Sequence, residues 1–187
     1  MCFVVMSHVP MTDIDRNLIL NAIYVLNDIV DYLVAGTMVF RNYQMKFESG
    51  DFTQPGIVSV QKMCVSHIVL GLSKLVEFWE YYHHLVPKEL RPEVKATISK
   101  IQSRDLQQFR NTVVAHIWDK KLNRTRTQLE MIEQLNRISD NNPKAFLLWL
   151  NNPSGNVYPD NLVSIVQTLR DHLVKEHNVS AGEVFKR

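Results

Sequence analysis

A permanently charged side chain and a titratable one, Arg110 and His116, are the sharpest chemical signal in this chain of 187 residues. They lie in the stretch 109–118, which reads Phe-Arg-Asn-Thr-Val-Val-Ala-His-Ile-Trp. Histidine exchanges its proton near neutral pH, so His116 suits work as a general base or acid. The cation of Arg110 suits stabilising negative charge as it develops on a phosphorane. Asn111 can position a phosphate or orient the histidine. RNA carries its own nucleophile, the 2′-hydroxyl, so these three side chains are sufficient in kind for cleaving it.

An element must hold them. At about 100° per residue, Leu106, Phe109, Val113 and Ile117 fall on one side of a helix and predict a buried stripe. Arg110 and His116 then lie about 60° to either side of that stripe, at the border of core and solvent, while Asn111, Thr112 and Ala115 point further outward. The plain alternative is a helical scaffold in which the Arg and the His are structural.

The pattern Arg110-Asn111, four residues, then His116, with Ala115 before the histidine, resembles the signature of the HEPN superfamily, the nucleotide-binding domains of higher eukaryotes and prokaryotes. The Arg-Asn-x-x-x-Ala-His form is similar to that of HEPN proteins of the abortive-infection and toxin type. The resemblance covers roughly residues 104–119, and beyond them only a general helical layout. It implies an all-α fold and a metal-independent endoribonuclease that leaves a 2′,3′-cyclic phosphate, with Arg110, Asn111 and His116 as catalytic residues. It also implies a homodimer with a composite cleft, a toxin or phage-defence role and a cognate antitoxin partner. Some members keep the fold without cleaving RNA, so a non-catalytic RNA-binding or assembly module is the alternative.

Charge supports an RNA partner. Residues 88–126 hold ten Lys and Arg against four Asp and Glu, a local +6 in a chain of net +2, which leaves −4 elsewhere. Lys120, Lys121, Arg124 and Arg126 follow the motif directly and are the candidate contacts to a phosphate backbone. A solvated loop is the other reading of that run.

The remaining sequence is scaffold. Its 45% apolar and 21% charged residues are those of a soluble globular protein, and six glycines and seven prolines are few for a sheet protein. One HEPN-like domain is expected over 1–187, as an antiparallel bundle of about five to seven helices, with residues 1–11 an N-terminal arm and 178–187 a C-terminal tail. Cys2 and Cys64 form neither a disulfide framework nor a metal-ligand spacing, which points to a reducing, cytoplasmic setting. The segment Met1 to Met11 lacks a basic start and a long apolar run, so no signal peptide is expected there.

A first helix is predicted from Thr12, with Ile14, Leu18, Ala22, Val25, Ile29 and Leu33 inward, running toward Gln44. Its charges argue against a membrane span. A second runs from about Ile57 to Leu85, with Val60, Met63, Cys64, His67, Ile68, Leu72, Leu75, Val76 and Trp79 as its stripe and His67 a hydrogen-bonded core histidine. His83 and His84 are adjacent, hence about 100° apart on a helix, and do not share a metal ion easily. No cofactor is implied.

A third helical region spans Arg91 to Trp118, with a break near Ser103, whose side chain is expected to cap the motif helix. Thr127 to Glu130 is a capping box, Asn142-Pro143 opens a short helix, and Pro159 opens the last one, with Leu162, Ile165, Val166, Leu169 and Leu173 inward. Residues 180–183 are left as a short turn or a frayed tail.

Overall fold

The computed structural model describes residues 13–51, 54–104, 106–110, 123–125 and 127–184. It is an all-α bundle. Its frame is a long antiparallel pair, α1 (Asp13–Glu48) and α2 (Gln54–Tyr82), joined by a turn in which Gly50 takes a left-handed conformation (φ 83°). Then follow α3 (Arg91–Gln102), the single turn α4 (Leu106–Phe109), α5 (Gln128–Ile138), α6 (Pro143–Leu150), α7 (Leu162–Glu176) and the single turn α8 (Ala181–Val184). Thr12 and the 1–11 arm lie outside the described residues.

The two long helices approach unusually closely, and glycine is the reason. A Cβ on Gly36 would lie 2.8 Å from Ile68 Cγ1 and 3.0 Å from the Cys64 carbonyl oxygen; one on Gly71 would lie 3.0 Å from Tyr32 Cβ. Gly36 and Gly71 thus let each backbone settle onto the other helix. The core between them is built from Ile29, Leu33, Ile68, Leu72 and Leu75, all nearly inaccessible to solvent.

Helix α1 also packs against α7, so it is enclosed on two sides and its buried arc is wider than one stripe. Ile19, Ile23, Leu26 and Val30 are buried beside the expected Ala22, Ile29 and Leu33, while Leu18 and Val25 are only half-buried. By length and composition the stretch Arg16–Glu48 holds an 18-residue window, of mean hydropathy 1.6, that is apolar enough to cross a membrane, so its charges alone do not exclude a span.

Polar groups fix the minor helices. Arg41 on α1 donates from Nη2 to the Leu147 carbonyl (2.8 Å) and to that of Asn151, while buried Asn151 donates to Thr37 Oγ1 (2.9 Å). These bonds hold the C-terminal end of α6 on α1. Burial pulls the Arg41 guanidinium below its ordinary range. The capping box that opens α5 is present in both directions, and Asn142 caps α6 through the Ala145 N–H (3.0 Å).

Four expectations are corrected. The last helix begins at Leu162 rather than Pro159, because Asn161 caps it by accepting the Ser164 N–H at 3.0 Å. Its predicted inward residues are all buried. Ser103 serves the end of α3, donating from Oγ to the Lys100 carbonyl (2.9 Å). His67 is exposed against the Tyr32 ring, 5.4 Å between centroids, because the buried stripe of α2 follows Cys64, Ile68, Leu72 and Leu75; Met63 is exposed as well.

The segment 178–184 is docked. Val179 and Val184 are buried, and Arg16 on α1 bonds Glu183 Oε1 from Nη2 (2.5 Å) and the His177 carbonyl from Nη1 (2.9 Å). Those bonds, with donation from the Ser180 N–H and hydroxyl, hold the Glu183 carboxyl down at about 2.

Candidate functional site

Helix α4 presents the start of the motif. Leu106 and Phe109, three residues apart, share a face and are almost wholly buried in the core, which anchors this turn against α2 and α3. Arg110 follows Phe109 in a widened turn and lies about 100° from it, half-buried at the edge of the core. This is the border position that the wheel predicts.

What the sequence does not reveal is its partner. Arg110 Nη1 donates to Glu77 Oε1 on α2 at 2.9 Å, with the arginine side chain 33% and the glutamate 49% exposed. Thirty-three residues separate the two, and nothing in the pattern of α2 marks Glu77 apart from any other solvent-facing glutamate. A guanidinium has five N–H donors, and this contact engages Nη1 alone. The group can therefore meet a phosphate without leaving its place, exchanging one exposed carboxylate for another anion.

Arg124 is exposed beyond the motif and grips Glu130 in a two-pronged pair, Nη1 to Oε2 at 2.9 Å and Nη2 to Oε1 at 2.6 Å. Glu130 also accepts the Thr127 N–H at 2.8 Å, and with Arg124 as the main cause its carboxyl is held down at about 2. Of the sequence-derived candidates, the structure thus locates Arg110 beside Glu77 and Arg124 beside Glu130. Asn111, His116, Lys120, Lys121 and Arg126 lie outside the described residues.

The basic count between residues 88 and 126 overstates the charge turned toward solvent. Arg91 is spent on the carbonyls of Val86 (2.9 Å) and His84 (3.2 Å). Arg104, whose side chain is 9% exposed, donates to the Ile138 carbonyl and to Asp140 (2.5 Å), and lies 5.3 Å from the ring centres of both Phe146 and Trp149. Lys100 covers Trp149 at 4.4 Å, and burial, then the Arg104 charge, lowers its pKa. Arg104 and Lys100 thus join the C-terminal end of α3 to α5 and α6. Each aromatic face already carries a cation, which sequence alone does not show.

Cys64 is buried, and burial pushes its thiol up, so it is not a ready nucleophile. His83 Nδ1 lies 3.1 Å from the Trp79 carbonyl, and the His83 and His84 rings meet edge to face at 6.0 Å.

No protein-family model and no curated protein matches the chain. Among solved structures, an integron cassette protein, Vpc_cass2, from the mobile metagenome of V. paracholerae is similar at 24% identity and a TM-score of 0.69, over 88% of this chain and 98% of that one. At that identity the likeness shows a shared fold: the bundle described above is one also found in the product of a mobile gene cassette.

Proposed function

We propose that this protein is a metal-independent endoribonuclease of the HEPN type, acting in the cytoplasm as a toxin or phage-defence effector. The observation that carries the reading is the Arg110-Asn111 pair followed by His116, with Arg110 at the edge of the core and paired, among the described residues, with an exposed carboxylate. His116 acts as base toward the 2′-hydroxyl and then as acid toward the leaving oxygen. Arg110 takes up the charge that accumulates on the phosphorane, and Asn111 positions the scissile phosphate. The oxygen attacks within its own nucleotide, so the product is a 2′,3′-cyclic phosphate and a free 5′-hydroxyl. A fold shared with a mobile cassette product suits an effector carried for defence, with a cognate antitoxin as its partner.

On a helix, the six-position step from Arg110 to His116 corresponds to about 120° around the axis and roughly 9 Å along it. One chain alone closes that distance poorly. A homodimer that sets two motif segments side by side brings Arg110 of one protomer to His116 of the other.

The test is complementation. Arg110→Ala and His116→Ala are each inactive, yet a mixed dimer retains one intact pair. Co-refolding in equal amounts makes about half the dimers mixed, each with one of two sites, so about a quarter of native activity returns. Cleavage persists in excess EDTA. Confirmed heterodimers without cleavage above either parent overturn the composite site, and loss in EDTA that magnesium restores overturns the chemistry.

A further inference from the structure

We infer that the partly open cavity between α1, α2, α5 and α6 is a binding site for an uncharged, largely apolar small molecule carrying one hydrogen-bonding group. This inference is independent of the ribonuclease reading. The space measures about 320 Å³. That lies at the small end of ligand pockets, and about 150 Å³ is enough to hold benzene, so the occupant has roughly a dozen non-hydrogen atoms.

The walls are apolar, with Phe40 contributed by α1, Val65 and Val69 by α2, and Phe146 by α6. Three polar side chains join them: Gln61, Asn136 and Ser139. Two are already engaged, since Ser139 Oγ donates to the Asn136 carbonyl (3.2 Å) and Gln61 Nε2 donates to Gln44 Oε1 (3.3 Å). The half-buried side-chain amide of Asn136 has no hydrogen-bond partner among the described residues. A donor and an acceptor left open on an otherwise apolar wall are the mark of a site that orients a ligand by one polar group.

The uncharged lining sets the class. Among the described residues no Lys, Arg, Asp, Glu or His lines the cavity, so against these walls a carboxylate, phosphate or ammonium would enter without a counter-charge and lose its hydration. The cavity is also separate from the Arg110 region. Val69 and Glu77 are eight residues apart on α2, about 12 Å along its axis.

The experiment is a methyl-NMR titration of the full chain with indole, a neutral bicyclic ring bearing one N–H, and in parallel with indole-3-carboxylate. Saturable shifts at the methyls of Val65, Val69 and Leu147, with the carboxylate at least tenfold weaker, are expected. Asn136→Leu, at a half-buried position, weakens indole binding by about threefold to tenfold, the span of one neutral hydrogen bond. Val65→Trp fills the space and abolishes the shifts at Val69 and Leu147. The inference is overturned by a titration that stays flat to the solubility limit of indole, by shifts centred elsewhere, or by equal binding of the two compounds. It is also overturned if Asn136→Leu leaves the affinity unchanged. None of these readouts involves RNA, so cleavage can fail while this site stands, and the reverse.

Discussion

Glu77→Gln tests whether the Arg110 guanidinium is held for structure or kept available for phosphate. The pair is 2.9 Å long and lies at the surface, its side chains 33% and 49% exposed. Pairs so exposed contribute about 0.2–1 kcal/mol, because water screens the attraction and ordering two long side chains opposes it. If Arg110 must give up Glu77 to meet the RNA, that same energy opposes binding, and removing the carboxylate strengthens RNA affinity by about 1.4-fold to fivefold. Stability falls by no more than about 1 kcal/mol, a drop in Tm of about 2–4 °C for a chain of this size. The assay is RNA binding in a His116→Ala background, where no turnover disturbs the equilibrium, at 50 and 200 mM salt. Screening reduces the gain at the higher salt. Arg110→Ala in the same background weakens binding. A Glu77→Gln protein that unfolds within a few degrees of its parent yet binds RNA more weakly refutes the exchange and makes the ion pair a support for the site.

RNA affinity falls steeply with salt, and charge reversal of Lys120, Lys121, Arg124 and Arg126 together lowers both the affinity and the salt slope; an unchanged slope makes the run a solvated loop. Gly36→Ala forces its new methyl against Ile68 and the Cys64 carbonyl, at about 1–3 kcal/mol for overpacking, less about 1 kcal/mol gained in helix propensity. Its Tm should drop by several degrees, while Gly182→Ala, with open space around it, should not; a higher Tm for Gly36→Ala contradicts the close approach of α1 and α2. Glu183 is held near 2 in the folded chain against an ordinary 4.5, so its contribution is present above about 4.5 and is lost as pH falls toward 2. In an NMR titration its carboxyl midpoint should rise with Arg16→Ala but remain below 4.5, since Ser180 still donates; no movement removes Arg16 as the main cause.

The fold was largely legible because local signals and burial agreed. Thr127 and Glu130 are three residues apart and form the capping box their types predict, and Leu106 with Phe109 marks the buried face of α4. Expectations failed where a neighbour in space outweighed a local rule. Pro159 is a good opening residue for a helix, yet the Asn161 side chain takes that role two residues later. His67 fits an apolar stripe by spacing, but the stripe is set by where α1 lies, and α1 lies against Ile68 and Leu72. The candidate site was legible as residue types and illegible as partners. Arg110 could be placed at the border of core and solvent, whereas Glu77 depends on how α4 meets α2.

What each arginine bonds to decides which can serve RNA. Arg16, Arg41 and Arg104 each donate to at least one main-chain carbonyl of a distant turn or helix end, and Arg91 to those of the turn just before its own helix. Drawing such a guanidinium away would strand carbonyls that have exchanged water for it, and a buried polar group left unpaired costs about 1–3 kcal/mol. Arg110 differs, since its bond is to a carboxylate that is half exposed and that water can solvate as soon as the arginine leaves. Release therefore costs little, and a backbone phosphate offers the same charge on a like pair of oxygens. Arg124 is intermediate: it holds Glu130, which also caps α5, so engaging RNA there weakens a helix start. The count of basic residues made the region look uniformly suited to nucleic acid. Among the described arginines of that region, Arg91, Arg104, Arg110 and Arg124, the acceptors make Arg110 the one most cheaply turned toward a phosphate.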